Sequence, residues 1–198
     1  MGQPEGDVPV MQADGDVRKA PSGESTSAPG PALLVSGSRV ARTLDRLAAE
    51  VVEHHRGATG LIVVGIQTRG DALADALAAR IAALVGHDIP SVGLDVSAFR
   101  DDRSGDLPSS SGNLPDLTGA TVLLVDDVLH TGRTIRAALD AVVRAGRPRQ
   151  IRLAVLVDRG AREIPVRADY VGRDLPIRPS ERIRIEPGEG FAVYLDPA

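Results

Sequence analysis

The stretch VLLVDDVLHTGRT, Val122 to Thr134, sets two adjacent aspartates directly after a run of branched apolar residues. Thr131, Gly132 and Thr134 follow within a few positions. The apolar run reads as a strand, and the small residues as the turn into a helix. A helix start offers unpaired N–H groups and the positive end of its dipole, which together favour a phosphate. Gly132 lets the backbone approach closely, and the threonine hydroxyls add donors. Asp126 and Asp127 repel a phosphate, so they suit something beside it: sugar hydroxyls, or a hard cation such as Mg²⁺ held through its waters. Phosphate, diol and cation together describe an activated ribose phosphate. An acidic pair at a strand end also occurs in response-regulator-like sites or as plain solvated charge; the T-G-R-T continuation favours the phosphate reading.

These residues need a frame. Val40, Leu44, Leu47 and Val51 recur at helical spacing, with Ser36 or Ser38 able to cap the helix and Gly57 to end it. A second helix is predicted over Gly70 to Val85, with Leu73, Leu77, Ile81 and Leu84 on one face, and a third over Gly132 to Ala145. Strands are predicted at 61–66, 91–99, 121–125 and 151–157, with an edge strand at ALLV and short segments at 168–171, 183–185 and 191–195. Strands alternating with amphipathic helices give an α/β fold, a parallel sheet flanked by helices. Ligands of such sheets bind beyond the carboxyl ends of the strands. That gathers GIQTRG (65–70), DDVLHTGRT (126–134) and DRG (158–160) at one edge. The polar segment from Arg100 to Thr118 is long for a compact domain and reads as a mobile lid or a linker.

Composition narrows the class. The chain of 198 residues is 42% hydrophobic, enough for one good core. It has no cysteine, which excludes disulfides, thiolate metal sites and a cysteine nucleophile. No apolar run is long enough to span a bilayer and no signal-peptide core is present, so a soluble cytoplasmic protein is expected. Residues 1–31 are rich in Gly, Pro, Ser and Asp without periodicity and are expected to be a disordered tail before a domain at 32–198. The net charge is −4, yet residues 133–198 carry thirteen arginines against nine carboxylates, a local +4.

VDDVLHTGRT is similar to the phosphoribosyl-pyrophosphate (PRPP) motif of type I phosphoribosyltransferases. The wider set VGIQTRG (64–70), FRDD (99–102), GRP (146–148) and LAVLVDRGAREIPVRADYVGRDLPI (153–177) resembles the PyrR family, which pairs uracil phosphoribosyltransferase activity with regulation of pyrimidine operons. The resemblance implies a type I phosphoribosyltransferase fold with a small C-terminal hood near 168–190. It implies PRPP binding by Thr68, Arg69 and Gly70 and by Val122, Leu123, Leu124, Val125, Asp126, Asp127, Val128, Leu129, His130, Thr131, Gly132, Arg133 and Thr134. The 5′-phosphate loop within that run falls on Val128 to Thr134. Arg69, Arg100, Asp126 and Asp127 take the catalytic roles, with Mg²⁺ held by the two aspartates through water. Asp158, Arg159 and Val171 fall on the base-binding segments. His130 stands where the family commonly has Tyr. The implied small molecules are PRPP, uracil and UMP, and a homo-oligomer is implied too. Other readings are a phosphoribosyltransferase for another base, and an RNA-binding regulator with negligible catalysis.

The same resemblance implies binding to a stem-loop of pyrimidine leader mRNA, with Arg162 and Arg173 at basic contact positions. The first helix departs from that pattern. Where RNA-binding relatives typically read R-A-L-T-R-I-A-H-E, Asp45 replaces the Thr and Ala49 the His. A carboxylate near phosphate is repulsive and alanine donates nothing. Weak RNA binding is therefore expected.

Overall fold

The computed structural model describes residues 30–99, 113–186 and 190–197. Its order is β1 (Ala32–Val35), α1 (Gly37–His54), β2 (Leu61–Ile66), α2 (Gly70–Val85), β3 (Ser91–Leu94), a 3₁₀ turn (Ser97–Phe99), β4 (Thr121–Leu129), α3 (Arg133–Arg144), β5 (Gln150–Asp158), β6 (Tyr170–Asp174), β7 (Arg182–Glu186) and β8 (Ala192–Asp196).

β4 explains the architecture. Val122 and Leu124 point to one face and Leu123 and Val125 to the other, and all four are buried. A strand apolar on both sides needs cover on both sides. α1 and α2 pack on the Leu123 face with Val40, Leu44, Leu47, Leu73, Leu77 and Ile81; α3 packs on the Leu124 face with Ile135, Ala138 and Val142. The five strands run parallel in the order β3-β2-β4-β5-β6. β4 is central, so its carboxyl end opens near the middle of the sheet edge.

The second sheet is small and antiparallel, in the order β1-β8-β7, so ALLV is an edge strand as anticipated. Ile185 and Val193 anchor this sheet to the α1 side of the core. Of the segments expected in a hood near 168–190, Tyr170–Asp174 forms the outer strand of the main sheet and Arg182–Glu186 joins the small one. Buried Tyr170, packed among the α1 residues, accounts for the first placement.

Other differences have local causes. β3 stops at Leu94 instead of reaching Phe99: the Asp95 carboxylate accepts the Ser97 N–H at 2.8 Å and turns the chain. Val96 and Phe99 are buried in that turn, which made its pattern look like a strand. β4 runs to Leu129, past the acidic pair, because Asp126, Val128 and Leu129 stay in register with Val155, Val157 and Asp158 of β5. Leu84 is 57% exposed, because Val85, four residues after Ile81, continues the core-facing side in its place. Of the segment from Arg100 to Thr118, residues 100–112 lie outside the described residues, as do residues 1–29 of the expected tail. The part from Asn113 onward is packed: Leu114 and Leu117 are buried, and Asn113 donates to the Gly93 carbonyl at 2.9 Å.

Candidate active site

The site begins with two close approaches. A Cβ on Gly65 would lie 2.4 Å from the Asp71 Cα and 2.5 Å from the Gly70 carbonyl oxygen. A Cβ on Gly70 would lie 2.6 Å from the Val125 carbonyl oxygen. These two glycines let the chain fold back sharply after β2 and lay the start of α2 against β4. Thr68 and Arg69 thereby reach the end of β4, through a cis peptide between Gln67 and Thr68. The Arg69 guanidinium sits 4.0 Å from the Asp127 carboxylate.

Gln67, Thr68 and Arg69 form one wall of a cleft of about 620 Å³, and Asp126, Asp127, Val128 and Thr134 another. Gly132, in the left-handed region at φ 91°, turns the chain into α3 and has no side chain to cap it, and the Thr131 hydroxyl accepts the Arg133 N–H at 3.4 Å. That is the arrangement an anion needs: polarised N–H groups at a helix start beside a threonine hydroxyl.

The acidic pair is strongly biased. Burial pushes the Asp126 carboxyl well above the ordinary range, and the adjacent Asp127 charge pushes the same way, although the Asp127 N–H donates to it at 2.9 Å. Asp127 is also raised, chiefly by burial, with Arg69 opposing. A folded carboxyl that holds its proton more tightly than the unfolded one makes folding take up protons. Stability is then lost as pH rises from the unfolded carboxylate range toward the folded one. We therefore expect Asp126→Asn with Asp127→Asn to raise Tm at pH 7, with the gap over wild type closing toward about pH 4, where the unfolded carboxyls also take up protons. Differential scanning calorimetry across that range checks it; a gap independent of pH would contradict it. The His55 imidazole, lowered first by burial, loses stability in the opposite direction but is common to both proteins.

The segment after β5 backs the phosphate-loop candidate. Glu163 and Ile164 N–H groups both donate to the Thr131 carbonyl at 3.0 Å, and Arg133 Nε pairs with Glu163 at 2.7 Å. Arg162 braces this wall. Its guanidinium donates to the carbonyls of His130 (2.8 Å), Gly160 (3.1 Å) and Val166 (3.1 Å), and it pairs with Asp158. No sequence pattern distinguishes such an inward arginine from a surface one.

The remaining candidates divide between the cleft and its supports. Thr68, Arg69, Asp126, Asp127, Val128 and Thr134 share the cleft, and Gly70 shapes it. Val122 to Val125 are core, so they carry the acidic pair and do not face the cleft. Leu129 is buried, and only His130 to Gly132 lie between strand and helix. Asp158 and Arg159 leave β5 at the same edge, the Arg159 N–H donating to the Leu129 carbonyl at 3.0 Å. Val171 packs within β6, and its carbonyl accepts from Arg46 of α1 at 2.9 Å. Arg173 is exposed on β6. Arg100 lies outside the described residues. Reasoning from sequence gave no role to Gln67, though it lies within GIQTRG, or to Val96, which belongs to no motif; both line the cleft.

Comparison with known proteins agrees with this geometry. The phosphoribosyl transferase domain model matches residues 34–186. The bifunctional protein PyrR of Geobacter sp. (strain M21) is 50% identical over 155 residues, 76% of this chain and 88% of the relative. The PyrR of Thermus thermophilus is 48% identical over 157 residues, 77% of this chain and 87% of the relative. Among solved structures, a hypoxanthine phosphoribosyltransferase of Trypanosoma cruzi superposes with a TM-score of 0.64 at 17% identity, covering 84% of this chain and 97% of that one. One from Staphylococcus aureus gives 0.59 at 21% identity, covering 74% and 78%. The last two speak for the fold alone. With the motif, the cleft and the sheet order in agreement, the chain belongs to the PyrR family of phosphoribosyltransferases.

Proposed function

We propose that this chain is a uracil phosphoribosyltransferase, joining N1 of uracil to C1′ of PRPP to give UMP and pyrophosphate. We propose further that it is a UMP-responsive regulator that binds leader mRNA of a pyrimidine operon. The observation that carries the enzymatic reading is the cleft itself, where Asp126 and Asp127 face the Thr68–Arg69 turn and Thr134 at the start of α3. The α3 start would take the 5′-phosphate, the two aspartates the ribose hydroxyls, and Thr68, Arg69 and Gly70 the pyrophosphate. Asp158 and Arg159 would border the base. Positive charge develops on the ribose as pyrophosphate departs, so a nearby carboxylate pair and a facing arginine stabilise both halves of the separating charge. Its place of action would be the cytoplasm, where PRPP and nascent mRNA occur.

Mg²⁺ fits this donor set. Two hard carboxylates stand together in a setting that disfavours their own charge, and the described residues contain no group of three or more metal-ligating side chains. Such a site suits a cation that keeps its waters and shares substrate oxygens. When bound, the cation would neutralise charge on the pyrophosphate. Incubation with uracil, PRPP and Mg²⁺ should yield UMP and pyrophosphate, and chelation should stop it; no UMP under these conditions would refute the reading.

For RNA, the structure alters the weight of one substitution. Asp45 pairs with Arg80 of α2 at 2.8 Å, so its charge is partly compensated. Ala49 is exposed. Arg162 is invested in the loop brace, whereas Arg173 points outward. Reverting both α1 positions, Asp45→Thr and Ala49→His, should strengthen binding to a family-type stem-loop without changing UMP synthesis. Release of Arg80 should also steepen the salt dependence by about one phosphate contact. A mobility-shift titration with UMP at two salt concentrations tests this. Tight binding by the natural chain, unimproved by the reversion, would show that these positions do not govern RNA contact.

A further inference from the structure

We propose that Arg162 is a positioning residue for the 5′-phosphate: it holds the loop before α3 by its carbonyls and so turns the loop's N–H groups toward the phosphate. This rests on the phosphoribosyltransferase reading above and names a residue outside the cleft on which its phosphate site depends.

The Arg162 guanidinium is spent on the protein itself. Nη1 donates to the carbonyls of Leu129 at 3.3 Å, His130 at 2.8 Å and Gly160 at 3.1 Å. Nε donates to the Val166 carbonyl at 3.1 Å, and Nη2 pairs with the Asp158 carboxylate. These contacts use Nε, both hydrogens of Nη1 and one of Nη2, and leave little for an outside phosphate. The side chain is only 22% exposed. The backbone is bent to put it there. Gly160 and Ala161 both sit in the left-handed region, at φ 74° and 56°. An alanine adopts that region at a cost, which the bonds of the next residue offset.

The consequence lies in the loop. The Thr131 carbonyl accepts the N–H groups of Glu163 and Ile164, each at 3.0 Å. The carbonyls of Leu129, His130 and Thr131 therefore all face the segment after β5. A trans peptide, as each of these is, points its N–H opposite to its C=O. The N–H groups of His130, Thr131 and Gly132 thus face away from that segment. The cleft is on their side: Val128 and Thr134, at the two ends of the loop, line it, and among the described residues no member of 159–166 does. Successive N–H groups on one side of a loop, leading into a helix start, make a concave anion site.

Arg162 decides the middle of this row. The Leu129 carbonyl also accepts the Arg159 N–H at 3.0 Å, and the Thr131 carbonyl has its two backbone donors. The His130 carbonyl is held by the Arg162 side chain. Removing that side chain frees the peptide between His130 and Thr131 to rotate and takes one N–H off the phosphate. An arginine turned inward in this way predicts a different defect from an RNA contact, the role that the resemblance implies for this position.

The experiment measures, for the full chain and for Arg162→Gln and Arg162→Lys, the affinities for UMP, uridine and a family-type stem-loop, together with KM and kcat. The ratio of the uridine Kd to the UMP Kd isolates the 5′-phosphate. Arg162→Gln should shrink that ratio by about tenfold and raise KM for PRPP by about the same factor, with kcat and KM for uracil changed less than about threefold. Arg162→Lys keeps the charge without the planar fork and should fall between the two. Equal loss of UMP and uridine affinity would mean a merely structural role and would overturn the proposal. So would an unchanged ratio with weakened RNA binding, the mark of a direct RNA contact. Should Arg162→Gln fail to fold, Arg162→Lys reads the same ratio, and a natural value there would overturn the proposal. A natural chain that neither prefers UMP to uridine nor makes UMP would instead refute the underlying enzymatic reading.

Discussion

Asp126→Asn with Asp127→Asn should lower UMP synthesis by at least about 10³-fold while leaving a folded protein. Both side chains end the central strand, where burial already disfavours their charge. Asparagine keeps the shape and can still hydrogen-bond a hydroxyl. It would remove the negative charge that the proposed mechanism sets against a developing ribose cation and a hydrated Mg²⁺. Loss of activity accompanied by a higher Tm at neutral pH would be the signature of a site that trades stability for charge. Steady-state kinetics beside the calorimetry described above makes the comparison. A double variant with natural turnover would remove the proposed role of the pair.

The second large effect is structural. Gly65→Ala should destabilise the protein by about 3 kcal/mol, because the added methyl meets backbone atoms of α2 and no flexible side chain can yield. For a domain of this size that is a fall in Tm of roughly 6–12 °C. Surviving protein should show a raised KM for PRPP, since relief of the clash moves the Thr68–Arg69 turn away from Asp127. An alanine variant with natural Tm would mean that the turn is not packed as tightly as the geometry indicates. The sequence marks this position only as a glycine inside a strand, which by itself signals close backbone approach without naming the neighbour.

Legibility followed physics. α2 was readable to the residue because Gly70 and Gly86 bracket a clean apolar period. The alternation of buried faces in β4 and the small residues after it fixed both the sheet and the position of the acidic pair. What stayed hidden depends on neighbours remote in sequence. The end of β3 turned on one Asp95 side chain, and the length of β4 on its register with β5. Arg162 and Arg173 look alike in sequence, yet one is drawn inward by carbonyls of two segments and the other is not. The Asp45–Arg80 pair joins two helices and could not be read from either alone.

The central claim is that this cleft makes UMP, and it is tested most directly by comparing bases at a fixed PRPP and Mg²⁺ concentration. Uracil, hypoxanthine and orotate would each be offered to the full-length chain, with pyrophosphate release followed continuously. The account predicts release with uracil and kcat/KM values for the other two lower by at least about 10²-fold, since each presents a different edge to Asp158 and Arg159. Turnover of hypoxanthine or orotate without uracil would contradict the base assignment, and no release with any base would contradict the enzymatic reading.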